Sequence, residues 1–203
     1  MKNITIKQEI LEKYNVILIF GVPTSGKSIT TYNTFVKNKE VKEEYDLTKL
    51  TFTDECILIG WFPKGNRRGL DSIERKQVGQ LFNQIERLKE YKLPIILEGN
   101  RSISRPMLNQ LLNNNYNCLF IMFTCDDEVI NIRTSRDREL KGKDQERIIK
   151  STKTMCSNYI IDNDNVDTII VDTSKYNRED FENLTLNDIE YKKVEKVKMV
   201  NLW

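Results

Sequence analysis

A chain of 203 residues has the length of one α/β domain, with room for a lid. Apolar residues at 39% suffice for a core, 31% charged residues suit a water-facing surface, and a net charge of +2 neither demands nor excludes nucleic acid. The complete absence of histidine does exclude something: His-dependent triads, zinc–imidazole sites and a histidine general base are all ruled out. Any acid–base chemistry must rest on a carboxylate, or on metal and positioning alone. The start, Met1-Lys2-Asn3-Ile4, lacks a signal-peptide pattern, and no apolar run has membrane-spanning length, so a cytoplasmic protein is expected. Cys56, Cys118, Cys125 and Cys156 show no C-x-x-C spacing and lie in or beside apolar stretches, which reads as reduced core thiols.

In chain order, residues 1–14 read as a short polar lead-in. Val16-Ile17-Leu18-Ile19-Phe20 is a buried strand. It delivers Gly21-Val22-Pro23-Thr24-Ser25-Gly26-Lys27-Ser28, which fits G-x-x-x-x-G-K-[ST] at every fixed position. A helix is expected from Lys27 to about Asn38, with Ile29, Phe35 and Val36 for packing. Backbone N–H groups of such a loop and the helix N-terminus form a nest for anionic oxygens. Nucleotide binding is therefore assigned to Gly21, Thr24, Ser25, Gly26, Lys27, Ser28 and Ile29, with Lys27 on the β- and γ-phosphates and Ser28 on Mg²⁺.

The mixed-charge run from Lys39 to Asp46 reads as a solvated helix end. Cys56–Gly60 is a second strand, emptying into Trp61-Phe62-Pro63-Lys64-Gly65-Asn66-Arg67-Arg68-Gly69-Leu70-Asp71. That loop exceeds the ordinary connection of about 4–6 residues and combines aromatics, cations and a carboxylate, a composition that points to function. Ile73, Val78, Leu81, Phe82, Ile85 and Leu88 keep helical spacing, predicting one helix from Asp71 to Tyr91. Ile95-Ile96-Leu97 is a strand ending in Glu98-Gly99-Asn100-Arg101, at the sheet edge where open α/β sheets place their chemistry. Ser104-Arg105-Pro106 starts a helix, and Cys118–Phe123 is a fourth strand.

Asp126-Asp127-Glu128 suits a helix N-terminus. Arg133 and Arg136 share a face of that helix, and with Arg138 and the break at Gly142 they read as a lid over residues 133–150. The competing reading is a solvated face balanced by Asp137 and Glu139. A further helix is expected from Asp144 to Ile161, then a last strand over Val166–Val171 and a polar tail over 176–203. Strands alternating with helices predict a single domain of three α/β/α layers, with a mostly parallel five-stranded sheet.

Phosphoryl transfer needs phosphate clamping, Mg²⁺, charge stabilisation and an oriented nucleophile. Lys27, Arg133 and Arg136 are assigned to charge stabilisation, and Arg133 is assigned to nucleotide binding as well. Asp71 is assigned as base and Glu98 as metal-side or acceptor-side ligand, although Asp71 also suits a plain helix N-cap. No N-K-x-D guanine signature occurs, which argues against a GTPase. A motor ATPase would close a strand with two acids, where this chain has Glu98-Gly99.

The order of the phosphate loop, Ile57-Leu58-Ile59-Gly60-Trp61, Gly69-Leu70-Asp71-Ser72, Leu97-Glu98-Gly99-Asn100-Arg101, the arginine helix, then Gln145 with Thr152-Lys153-Thr154 resembles bacteriophage P-loop kinases that phosphorylate 5-hydroxymethyluracil in DNA. The resemblance spans about residues 16–160. It implies transfer of the ATP γ-phosphate, with Mg²⁺, to the hydroxymethyl group of a modified base, a step toward hypermodified thymidine in phage DNA. On that reading Lys64, Arg67 and Arg68 hold backbone phosphates, Trp61 or Phe62 stacks on an extruded base, and Asp71 and Asn100 face the acceptor. Arg101, with Lys141, Lys143, Lys150 and Lys153, would extend that substrate-binding surface. Trp61 stands near the position of the family's tyrosine, and Asn100 replaces an acidic residue, removing a charge beside Glu98. A kinase of a free nucleotide or nucleoside, and a nucleotide-dependent nucleic-acid-binding module with little turnover, are the alternatives.

Overall fold

Five apolar runs form the parallel heart of a single mixed sheet. The computed structural model describes residues 5–62, 69–70, 73–100, 104–135, 145–163, 165–177 and 179–194. In chain order the strands are β1 (Val16–Gly21), β2 (Lys42–Tyr45), β3 (Lys49–Phe52), β4 (Ile57–Ile59), β5 (Ile95–Glu98), β6 (Cys118–Thr124), β7 (Asp167–Asp172) and β8 (Tyr191–Lys193). Their spatial order is β2-β3-β4-β5-β1-β6-β7-β8. The run β4-β5-β1-β6-β7 is parallel throughout. β2, β3 and β8 add antiparallel edges, so the sheet has eight strands where five were expected.

β1 shows why the sequence here is uniformly apolar. All six of its residues are buried because both faces are covered. Val16, Leu18 and Phe20 point to one layer, formed by α4 (Leu81–Leu88), α5 (Arg105–Asn113) and α7 (Gln145–Ile161). Ile17 and Ile19 point to the other, formed by α1 (Ile6–Lys13), α2 (Lys27–Phe35) and the segment carrying Phe181, Leu184, Leu186 and Ile189. Two helices complete the set, α3 (Arg75–Val78) and α6 (Asp127–Ser135). Among the described residues no helix is long and apolar enough to cross a membrane.

Three expectations change. The segment read as a solvated helix end contains β2. Its Lys42 and Glu44, two apart, form an ion pair, as side chains on one face of a strand do. The single helix expected from Asp71 to Tyr91 is two helices followed by a 3₁₀ turn, with the break at Gly79-Gln80. Both pieces hold the β2–β3 turn: Gln77 on α3 donates to Leu47 O at 3.1 Å, and the buried Gln84 on α4 accepts from Thr48 N at 3.0 Å and donates to Asp46 at 3.1 Å. Finally, the tail up to residue 194 packs against the body of the domain through β8 and the buried residues that precede it.

β1 lies at a switch point of the sheet. The chain leaving β1 travels toward β4, whereas the chain leaving β6 travels toward β7. The two connections part above the carboxyl ends of adjacent strands, leaving the crevice in which open α/β sheets bind ligands.

Candidate active site

The loop at the end of β1 is held by its own side chains and by its neighbours. Ser25, fully buried, donates its hydroxyl to Val22 O at 2.8 Å, and Lys27 Nζ reaches the same carbonyl at 3.4 Å. Thr24 has a φ of 58° and Gly26 a φ of 81°, so the chain makes a left-handed turn immediately before α2. At Gly26 glycine is required twice over. An L residue there would be strained, and its Cβ would enter the ring of Phe181. Gly26 also stands at the N-cap of α2 without contributing a side-chain cap, which leaves the first-turn N–H groups to an anion.

From β1 the loop is tied to β5. Gly99 N donates to Ile19 O at 2.9 Å, and Gly21 N donates to Asn100 Oδ1 at 3.0 Å. The side chain of Asn100 thereby adds one rung beyond the end of the parallel ladder. Ser28 Oγ donates to Glu98 Oε1 at 2.8 Å, although the two are 70 residues apart in sequence. Glu98 is only 2% exposed. The structure thus gathers Gly21, Lys27, Ser28, Glu98 and Asn100 at one sheet edge.

Arg133 lies on the other flank. Its guanidinium donates to Thr173 O at 2.8 Å, to Tyr176 O, and at 3.4 Å to Thr24 O in the loop itself. Its plane lies over the Phe181 ring, 5.0 Å from the centroid. Thr173 Oγ1 in turn donates to Ser25 O at 3.0 Å. The turn after β7, Phe181 and Arg133 together form a brace around the glycine loop. Sequence reading missed Phe181, because an isolated aromatic in a polar tail carries no periodic signal. Asn33 on α2 marks the contact from the other side, donating to Phe181 O at 2.8 Å and to Leu184 O at 3.0 Å.

On the acceptor side, Trp61 is 36% exposed, with Lys49 Nζ 4.2 Å from its ring centroid. Phe62, by contrast, is 2% exposed and belongs to the core, so of the two aromatics expected to stack on a base only Trp61 presents a ring to solvent. Ile29 is half-buried and packs against that same core. Lys153 pairs with Asp127 and ties α7 to α6, while Lys150 is exposed. Lys64, Arg67, Arg68, Asp71, Arg101, Arg136, Lys141 and Lys143 lie outside the described residues.

The donor set suits a phosphate–Mg²⁺ pair. Mg²⁺ takes one or two protein oxygens and completes its shell with phosphate and water, and a hydroxyl beside a buried carboxylate provides such oxygens. Among the described residues no three His, Cys, Asp or Glu side chains cluster as a self-contained metal cage. The four cysteines are buried and unpaired with one another. Burial pushes the Cys56 thiol up to about 11, against a smaller lowering by Thr53. It raises Cys118 to about 12, and Cys156 likewise, there with a slight opposing pull from Lys27. None of these three is poised as a nucleophile.

No protein-family model matches the chain. No curated protein matches it either. Among solved structures, an unliganded sugar kinase from a Janibacter species is similar over 83% of this chain and 90% of its own, at 14% identity and a TM-score of 0.41. A likeness at that score does not extend to the site.

Proposed function

We propose that this chain is a P-loop kinase that binds ATP with Mg²⁺ and transfers the γ-phosphoryl group to an alcohol. Its proposed acceptor is the hydroxymethyl group of 5-hydroxymethyluracil in DNA. The observation that carries the phosphotransfer reading is the contact between Ser28 and Glu98 beside Lys27, at the mouth of a glycine loop that opens a helix. Lys27 and the first N–H groups of α2 hold phosphate oxygens, while Ser28 and Glu98 provide the metal-side oxygens. ATP supplies the phosphoryl group, and Mg²⁺ neutralises its charge. The acceptor oxygen bonds to the γ-phosphorus as the bond to the β–γ bridging oxygen breaks. ADP leaves, and the hydroxyl proton passes to a carboxylate, for which Asp71 is proposed. The acceptor assignment rests on the motif resemblance, and the exposed Trp61 ring beside Lys49 suits stacking on an extruded base.

The test offers γ-labelled ATP with duplex DNA containing hydroxymethyluracil, with unmodified DNA, and with free nucleosides and nucleotides. Label should enter only the modified DNA, and Lys27→Ala should reduce transfer by roughly 10²–10³-fold. Label on a free nucleoside or nucleotide alone would overturn the DNA acceptor while keeping the kinase. Nucleotide binding without transfer to any acceptor would overturn the kinase.

A further inference from the structure

The loop that carries Trp61 returns to the sheet at Gly69. Gly69 forms an antiparallel bridge with Trp61, and its φ is +43°. A Cβ on Gly69 would fall inside contact distance of Glu98 Oε2 and stand 2.6 Å from Glu98 O. The other carboxylate oxygen, Oε1, accepts from Ser28 Oγ at 2.8 Å. One carboxylate is therefore seated between Ser28, on the helix that follows the glycine loop, and Gly69, the bridge partner of Trp61. Both contacts are made inside the protein, since Glu98 is 2% exposed.

We propose that Gly69 is a positioning residue for the metal side of the site: the space left by its missing side chain is the seat of Glu98 Oε2, so Gly69 sets the carboxylate that faces Ser28. Any side chain at residue 69 would displace that oxygen and turn the carboxylate away from Ser28. Gly69 and the metal ligand then behave as one unit, and a disturbance at Gly69 is felt as weaker Mg²⁺ binding rather than weaker phosphate binding. The inference rests on the kinase reading of the site.

The experiment titrates a fluorescent ATP analogue with and without Mg²⁺ against four full-length proteins: wild type, Gly69→Ala, Glu98→Ala and the double variant. Each is also checked by denaturant unfolding. Wild type should bind the nucleotide more tightly with Mg²⁺. Gly69→Ala should reduce that Mg²⁺-dependent gain about tenfold and leave the metal-free Kd within about twofold, as expected when one metal-side oxygen is displaced. In the Glu98→Ala background the glycine substitution should change the gain less than about twofold, because the side-chain contact is gone and only the approach to the backbone oxygen of residue 98 remains. An unchanged gain in folded Gly69→Ala overturns the inference, as does an equal loss with and without Glu98. If Gly69→Ala alone does not fold, folding of the double variant supports the seat, and failure of both overturns it. Wild type with no Mg²⁺-dependent gain in nucleotide binding overturns the kinase reading and this inference with it.

Discussion

Replacing Gly26 by alanine tests whether the C-terminal segment builds the glycine loop. Two costs apply. The residue holds φ at 81°, and an L side chain in the left-handed region loses about 1–2 kcal/mol. Its Cβ would also enter the Phe181 ring, and overpacking of a filled interior costs about 1–3 kcal/mol. The sum is a destabilisation of about 2–5 kcal/mol. Phe181→Ala alone removes a 5%-exposed ring that also lies beneath Arg133, a loss of about 3–5 kcal/mol. The double variant should not add. With the ring gone the steric part of the Gly26 cost disappears, leaving backbone strain, so the pair should be less destabilised than the sum by about 1–3 kcal/mol. Guanidinium chloride unfolding with a constant m-value measures all three. Nucleotide affinity measured in parallel should fall in each variant, because the loop loses its brace. Additivity within about 0.5 kcal/mol would refute the reasoning, since the ring would then not be what fills the space beside Gly26.

Two other perturbations have definite signs. Gly79 closes α3 with φ at −66° and ψ at −14°, and a Cβ there meets nothing nearer than Lys76 O at 4.0 Å. Gly79→Ala should therefore stabilise the protein by about 0.4–1 kcal/mol through the unfolded chain, and a lower denaturation midpoint would contradict this. The buried thiols of Cys56, Cys118 and Cys156 stay neutral in the fold to about 11, 12 and 12, whereas their ordinary value is 9.0. A raised folded-state value favours the protonated form, so the stabilisation is complete below pH 9 and is lost as pH rises toward those values. At about 1.4 kcal/mol per pH unit for each group, the three thiols predict a loss of about 4 kcal/mol between pH 8 and 10. Cys118→Ala should remove roughly a third of that drop. Unfolding midpoints at the two pH values decide it, and a flat profile would refute the assignment.

How much of this was legible depended on whether the governing contacts were local. The stretch from Val16 to Ser28 carries an apolar run, spaced glycines and a helix start in one window, and β1, the loop and α2 appear where the sequence puts them. The five parallel strands were equally readable, and in β1, β5 and β6 burial on both faces leaves nearly continuous apolar runs. The edge strands were not. Lys42–Tyr45 is exposed or half-buried along its whole length, so no apolar alternation marks it, and its charge pattern suits a helix surface as well. The Asp71–Tyr91 helix failed differently. Its apolar spacing continues across Gly79, and the contacts that hold the two pieces, Gln77 and Gln84 with the β2–β3 turn, join segments distant in sequence.

The same division runs through the candidate site. Its donor half is a motif, because the shape that wraps phosphate comes from consecutive backbone groups and needs glycine at fixed spacing. Its other parts are made by contact between distant segments: Ser28 with Glu98, Gly21 with Asn100, Gly26 with Phe181, and Gly69 with Glu98. Three of these four involve a glycine, and for Gly26 and Gly69 the group that fills the missing side chain's place approaches from elsewhere. Glycine in such places marks the absence of a side chain where another group must sit, and absence has no periodicity. Phe181 and Glu98 are the groups that sit there, one bracing the loop and the other facing its serine. The glycine loop is therefore readable in isolation, but its brace and the seating of Glu98 beside Ser28 are properties of the folded chain.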